Sequence, residues 1–203
     1  LTGFETETYG NYEPFINRLR RTFKPDYIVG SVHHVNDICF DYSPSYYQKA
    51  LEASGSLEKL YLSYFDVQYD MIRKLKPEVI GHFDLIRIHD GNYKKTLKNP
   101  GIKEKIIRNL EIIKSYDLTL DFNTRALFKK ADEPYISKSL LELIKKMGVR
   151  ILPGDDSHAE NQAGLFIEDG IKILEDLGFV LDFNVHSFIR KKTNTSFMGP
   201  KYK

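Results

Sequence analysis

The stretch Asp26-Tyr27-Ile28-Val29-Gly30-Ser31-Val32-His33 follows the turn signal Lys24-Pro25, runs through four apolar or β-branched positions, and ends on a histidine. Its length, its β-branched content and the punctuation before it read as a buried strand. Four more stretches have the same form: Glu78-Val79-Ile80-Gly81-His82, Leu118-Thr119-Leu120-Asp121-Phe122-Asn123, Val149-Arg150-Ile151-Leu152 and Phe179-Val180-Leu181-Asp182-Phe183. Each comes just after a turn signal, such as Lys76-Pro77, Tyr116-Asp117 or Gly148.

Between these runs the apolar spacing becomes helical. Ile106, Ile107, Leu110 and Ile113 share one face of the segment from Ile102 to Tyr116. Leu140, Leu141, Ile144 and Met147 do the same before Gly148, and Ile167, Ile171, Leu174 and Leu177 before Gly178. Glycine just past the last apolar position is a common helix end. The longest candidate runs from Ser56 to Leu75, with Leu60, Tyr64, Val67, Met71 and Leu75 as its core-facing stripe. Strand and helix in alternation predict a parallel α/β fold, and an open doubly wound sheet and a barrel both fit. No strand is followed by a glycine-rich nucleotide loop or a Walker lysine pattern.

Three of the six histidines stand at the C-terminal end of a predicted strand or in the loop after it: His33, His82 and His158. In parallel α/β folds that edge is where active sites are built. Carboxylates accompany them: Glu5 in the first short segment, Asp84 after His82, and Asp155 and Asp156 before His158. Imidazole and carboxylate are ligands expected for Zn, Mn or Fe. Close-set cations of this kind stabilise a phosphoryl transition state, so the pattern favours metal-assisted hydrolysis. Each residue also has a plainer reading. A lone strand-end histidine is more often a hydrogen-bonded structural group, and an Asp-Asp-Ser-His run after glycine is commonly a turn with a helix cap. The metal reading rests on the convergence of four such sites on one edge.

Composition narrows the class. The chain has 203 residues, enough for one sizeable core, and 41% hydrophobic with 29% charged residues reads as globular. A net charge of +2 gives no clustered basic excess for nucleic acid. The single cysteine, Cys39, excludes an internal disulfide framework and fits a cytoplasmic protein. No apolar run is long enough to span a bilayer. The basic stretch from Arg190 to Lys203 carries Gly199-Pro200 and reads as loosely ordered.

Four motifs together resemble the histidinol-phosphate phosphatases of the polymerase and histidinol phosphatase (PHP) superfamily. Gly3-Phe4-Glu5 is similar to its Gly-x-Glu strand, and Asp26 to His33 resembles its Gly-Ser-x-His strand. Gly81-His82-Phe83-Asp84-Leu85-Ile86-Arg87 is similar to its Gly-His-x-Asp segment, and Gly154-Asp155-Asp156-Ser157-His158 to its Asp-x-His ending. Val35-Asn36-Asp37-Ile38 with Asp41, and Asp121-Phe122-Asn123-Thr124, resemble segments of the histidinol phosphatase branch.

The resemblance implies a single domain over 1–203 with a distorted (β/α)7 TIM-like barrel and up to three divalent metals, Zn, Mn or Fe. It implies that Glu5 bridges two metals, that Asp156 sits on the first and His33 and His82 on the second, and that His158 binds the third. A metal-bound hydroxide would attack phosphorus and histidinol would leave, making the substrate a small-molecule phosphate ester, with no nucleic acid or membrane partner. The alternatives are another small phosphate ester or a barrel remnant that binds metal or a partner without turnover. Substrate contacts are expected from Arg87, His34, Asn123 and Arg125. Arg87 has a second reading as a surface ion pair, and His34 as an outward-pointing side chain.

The family opens with a His-x-His segment that this chain lacks, which predicts an N-terminally incomplete domain without its first strands. Phe128 stands where the branch often has arginine, with Arg125 and Lys129 as nearby substitutes.

Overall fold

A computed structural model describes residues 1–183. Its centre is a parallel five-stranded sheet built from β1 (Gly3–Thr6), β2 (Tyr27–Gly30), β5 (Val79–Ile80), β6 (Thr119–Asn123) and β7 (Arg150–Gly154), in that spatial order. A two-stranded ribbon, β3 (His34–Val35) with β4 (Ile38–Cys39), follows β2. The helices are α1 (Tyr12–Phe23), α2 (Pro44–Ser54), α3 (Leu57–Leu75), α4 (Tyr93–Thr96), α5 (Pro100–Ser115), α6 (Arg125–Phe128), α7 (Lys138–Met147) and α8 (Ile167–Asp176).

The predicted alternation is present, and the long helix starts where expected. The Ser56 hydroxyl caps α3 by accepting from Lys59 N–H at 3.2 Å. Asn99 caps α5 in the same way, with Pro100 in the first turn, where its missing N–H costs nothing. Of the α3 stripe, Leu60, Tyr64, Met71 and Leu75 are buried and Val67 is partly buried against the core. Where α3 meets α5 the interface carries a closed polar set. Asn109 Nδ2 donates to Phe65 O and Gln68 Oε1, and Gln68 Nε2 donates to Phe83 O, so these buried amides are satisfied.

Register decides what the sheet presents on each side. Glu5 is level with Val29, Val29 with Val79, and Val79 with Thr119. Side chains alternate across a strand. Ile28, Ile80, Leu120, Phe122 and Ile151 are therefore core, while Glu5, Asp121 and Asn123 gather towards the C-terminal end of the sheet.

Three expectations change. The sheet is open: β1 and β7 lie at its two edges, and among the described residues no strand joins them into a barrel. Phe179 to Phe183 is not a strand; Phe179 packs on the core while Val180 is 97% exposed, and no ladder partner stands beside the segment among the described residues. The strand at Glu78 to His82 shortens to Val79–Ile80 because His82 takes a φ of +21°, which turns the chain out of the sheet. The basic stretch 190–203 lies outside the described residues.

Candidate metal centre

Parallel pairing brings three distant residues together. Glu5 sits on β1, His33 in the loop after β2, and His82 in the loop after β5. His82 Nε2 lies 3.2 Å from Glu5 Oε1 and 3.1 Å from His33 Nε2, and His33 Nε2 lies 3.8 Å from the same carboxylate oxygen. One ligand atom from each residue falls within 4.8 Å of the other two, the one such group of three among the described residues. The Ser31 hydroxyl donates to Glu5 Oε1 at 2.5 Å and holds the carboxylate towards the histidines. Gly81 permits this approach, since a Cβ there would run into Ser31 Oγ.

The electrostatics suit a cation. Burial alone would raise the Glu5 carboxyl, but the hydrogen bond and charge of His82, with the Ser31 hydroxyl, hold it at about 2. Burial and the charge of His82 lower His33, whereas Glu5 outweighs burial at His82 and raises it. Two imidazole nitrogens 3.1 Å apart cannot both carry protons, and the nearby Glu5 carboxylate favours the charged form at His82 rather than at His33. A carboxylate oxygen and two imidazole nitrogens facing one point fit a divalent ion. The Nδ1 atoms of His33 and His82 are buried without a hydrogen-bond partner.

The second half of the expected ligand set stands apart from this group. Asp156, at φ +46°, and His158 follow β7, with His158 Nε2 3.2 Å from Asp156 Oδ1. His158 is well exposed, and neither residue joins the cluster of Glu5, His33 and His82. Between the two halves lies Asp121, a residue of the family-like segment to which sequence pattern assigns no role. It is half-buried in mid-strand, and desolvation pushes its carboxyl up to about 6 despite the hydrogen bond from Asn123 and the charge of His82. A period-two reading of Thr119, Asp121 and Asn123 against Leu120 and Phe122 would have placed it on the ligand face. A cavity of about 460 Å³ opens beside these groups, lined by Glu5, His82, Asp121, Asn123 and Asp156 above an apolar floor that includes Val29.

The expected substrate contacts divide. His34 turns away from His33, with Nδ1 3.3 Å from Glu7 Oε2 and its ring beside Tyr9. Arg125 Nη1 donates to Gln162 Oε1 at 2.5 Å, and its guanidinium lies over the Phe128 ring. Both ends of the Asn123 amide are engaged within the protein: Nδ2 donates to Asp121 and Asp156, and Oδ1 accepts from Arg125 N–H.

Of the two readings of Arg87, the structure supports the ion pair over the phosphate clamp, and the pair is buried rather than on the surface. Arg87 Nε donates to Asp84 Oδ2 at 3.1 Å, and Nη2 donates to Glu133 O and Pro134 O, with the rings of Tyr93 and Tyr135 packed on the guanidinium. Glu133 belongs to the same network. Burial would raise its carboxyl, but donors from Tyr93, Ser137 and Lys138 N–H hold it below the usual 4.5. A depressed carboxyl contributes stability that is complete above the unfolded value and fades as pH falls through the folded one. The stability gap between the wild type and Glu133→Gln should therefore be widest near neutrality and shrink below pH 4.5. Urea midpoints measured across that range test this, and a gap independent of pH would contradict it.

Comparison with known proteins agrees with this geometry. The family model described as "PHP domain" matches residues 1–125, which include Glu5, His33 and His82. A probable histidinol-phosphatase from Schizosaccharomyces pombe is 41% identical over 170 residues, covering 81% of this chain and 55% of that protein. The histidinol-phosphatase of Saccharomyces cerevisiae is 34% identical over 174 residues, covering 74% and 52%. The chain thus spans about half the length of these two relatives. Among solved structures, a putative histidinol phosphatase from Listeria monocytogenes superposes with a TM-score of 0.73 at 25% identity, over 82% of this chain and 66% of that one. A histidinol phosphate phosphatase from Lactococcus lactis, solved with Zn, L-histidinol and phosphate, gives 0.66 at 24% identity, over 87% and 66%. With more than half of its length matched by the family model and its three converging candidate ligands inside that match, the chain belongs to the PHP domain family.

Proposed function

We propose that this protein is a metal-dependent phosphomonoesterase that hydrolyses L-histidinol phosphate to L-histidinol and phosphate in histidine biosynthesis. The observation that carries the reading is the convergence of Glu5, His33 and His82 at the C-terminal edge of a parallel sheet. The names of the two yeast relatives and of the Lactococcus structure supply the substrate class.

In this reading Glu5, His33 and His82 hold one divalent ion, and Asp156 and His158 contribute to further positions, up to three in the whole protein. Zn, Mn and Fe all suit these nitrogen and oxygen donors. When bound, the metal supplies Lewis-acid polarisation of a phosphoryl oxygen and a nucleophile near neutral pH. The chain's own residues fix the geometry. Ser31 orients Glu5, Glu5 sets the charge on His82, and the loops after β2 and β5 bring both imidazoles to one point. His34 on β3 and Arg125 at the start of α6 are the candidates for substrate contact.

The open sheet is read as part of a distorted (β/α)7 barrel forming one domain over 1–203. The partner is a small phosphate ester; the net charge of +2 gives no footprint for nucleic acid. No helix among the described residues is long and apolar enough to cross a membrane, and the single cysteine fits a cytoplasmic setting.

The natural full-length protein, loaded with Zn or Mn, should release inorganic phosphate from L-histidinol phosphate. Treatment with a chelator should abolish the release, and added metal should restore it. Turnover that survives complete metal removal would refute the mechanism, and preference for another ester in a substrate panel would refute the substrate.

A further inference from the structure

We propose that Asp121 and Asn123 form a positioning pair that ties the ligand end of β5 to the ligand end of β7, holding His82 and Asp156 at a fixed separation. The inference rests on the metal-binding reading above and extends it to two residues outside the ligand set.

Strand β6 lies between β5 and β7, so its C-terminal end is the one place from which both neighbours are within reach. Asp121 and Asn123 are two residues apart and share a face of that strand. Asp121 Oδ2 accepts from Asn123 Nδ2 at 2.9 Å and from the backbone N–H of His82 at 3.5 Å. Asn123 Nδ2 also donates to Asp156 Oδ2 at 3.3 Å. One amide group therefore links two carboxylates that would otherwise repel each other.

The orientation of that amide is settled by its surroundings. Asn123 Oδ1 accepts from Arg125 N–H at 3.0 Å, which leaves only the nitrogen to face the carboxylates. The backbone of Asn123 is gripped as well: its C=O accepts from Tyr135 N–H at 3.0 Å, and its N–H donates to Tyr135 O. Asn123 is 1% exposed, and both ends of its amide are already engaged within the protein. Space for Asp121 is made by Gly154 on β7, where any Cβ would collide with Asp121 Oδ1.

Partners that orient a ligand from outside typically change metal affinity about 10–100-fold when removed. That range is expected here for Asn123→Ala and Asp121→Ala, measured as Zn(II) affinity of the natural full-length protein by competition with a chromogenic chelator, with no substrate present. Asn123→Asp keeps the side-chain shape but sets a third carboxylate against two others. It should weaken Zn(II) binding as much, and it serves if the alanine variants do not fold. Asp121→Asn retains an acceptor oxygen for Asn123 and should recover most of what Asp121→Ala loses. Thr119→Val, on the same face at the far end of β6, should bind as the wild type does.

Unchanged Zn(II) affinity in folded Asn123 and Asp121 variants would overturn the proposal. An equal loss in Thr119→Val would overturn it too, because the effect would then belong to the strand in general. If the wild-type protein itself binds no Zn(II), the metal-binding reading fails first and this inference with it.

Discussion

Glu5→Gln should strip the metal from the proposed site and with it the proposed phosphatase activity of the full-length protein. The substitution keeps shape and volume but removes the charge that two histidines share: His82 Nε2 at 3.2 Å and His33 Nε2 at 3.8 Å from one carboxylate oxygen. An outer partner of a metal ligand is typically worth about 10–100-fold in affinity, and a direct ligand should exceed that. Metal analysis of the purified variant, with phosphate release on L-histidinol phosphate, checks both parts. A second readout needs no metal. Without the carboxylate, burial at His82 is opposed mainly by the more distant charges of Asp156 and Asp121, so its imidazole should titrate at lower pH than in the wild type, which proton NMR of the metal-free protein can follow. Retained metal together with retained turnover would show that Glu5 is not a ligand.

Arg87→Ala should be severely destabilising, more so than Glu5→Gln or Glu133→Gln. Asp84 is fully buried, and one of its oxygens already has no partner. Burial pushes its carboxyl above the usual range even with Arg87 and Ser137 N–H opposing it. Removing the guanidinium leaves that carboxyl supported by the single donor Ser137 N–H at 2.8 Å, and also frees the carbonyls of Glu133 and Pro134. Breaking one side of a buried pair typically costs about 3–5 kcal/mol, against total stabilities of about 5–15 kcal/mol. Denaturant unfolding measures it. The double variant Asp84→Asn with Arg87→Met, which buries no charge, should recover much of the loss. A variant with unaltered stability but a tenfold weaker KM would instead restore the phosphate-clamp reading.

Much of this architecture was legible from residue pattern because it depends on local chemistry. The strands at Tyr27, Thr119 and Arg150 are apolar runs after turn residues, and the long helix begins at Ser56, whose side-chain oxygen meets a free N–H group of its first turn. Strand position placed His33, His82 and His158 at one sheet edge with carboxylates nearby, and of these the structure brings His33 and His82 together with Glu5. What was not legible depends on partners far along the chain. Arg87 resembled a phosphate ligand because its acceptors, the carbonyls of Glu133 and Pro134, are remote in sequence. Asp121 was hidden inside an apolar strand, and its role appears only once Gly154 and Asn123 are seen beside it. His34 follows a ligand directly, yet strand alternation sends it towards Glu7. The run from Phe179 had strand composition and lacked only a neighbour to pair with among the described residues.

The order of the sheet has one more consequence, for synthesis. The strands stand side by side in the sequence in which the ribosome delivers them: β1, β2, β5, β6, β7. Each new strand finds its partner already made, and no earlier pair must open to admit it. Domains tend to fold from the N-terminus as they emerge, and short closures are the least costly. Glu5, His33 and His82 are all made before β6 is translated, so the proposed metal position they form is complete in the nascent chain while Asp156 and His158 are still unmade.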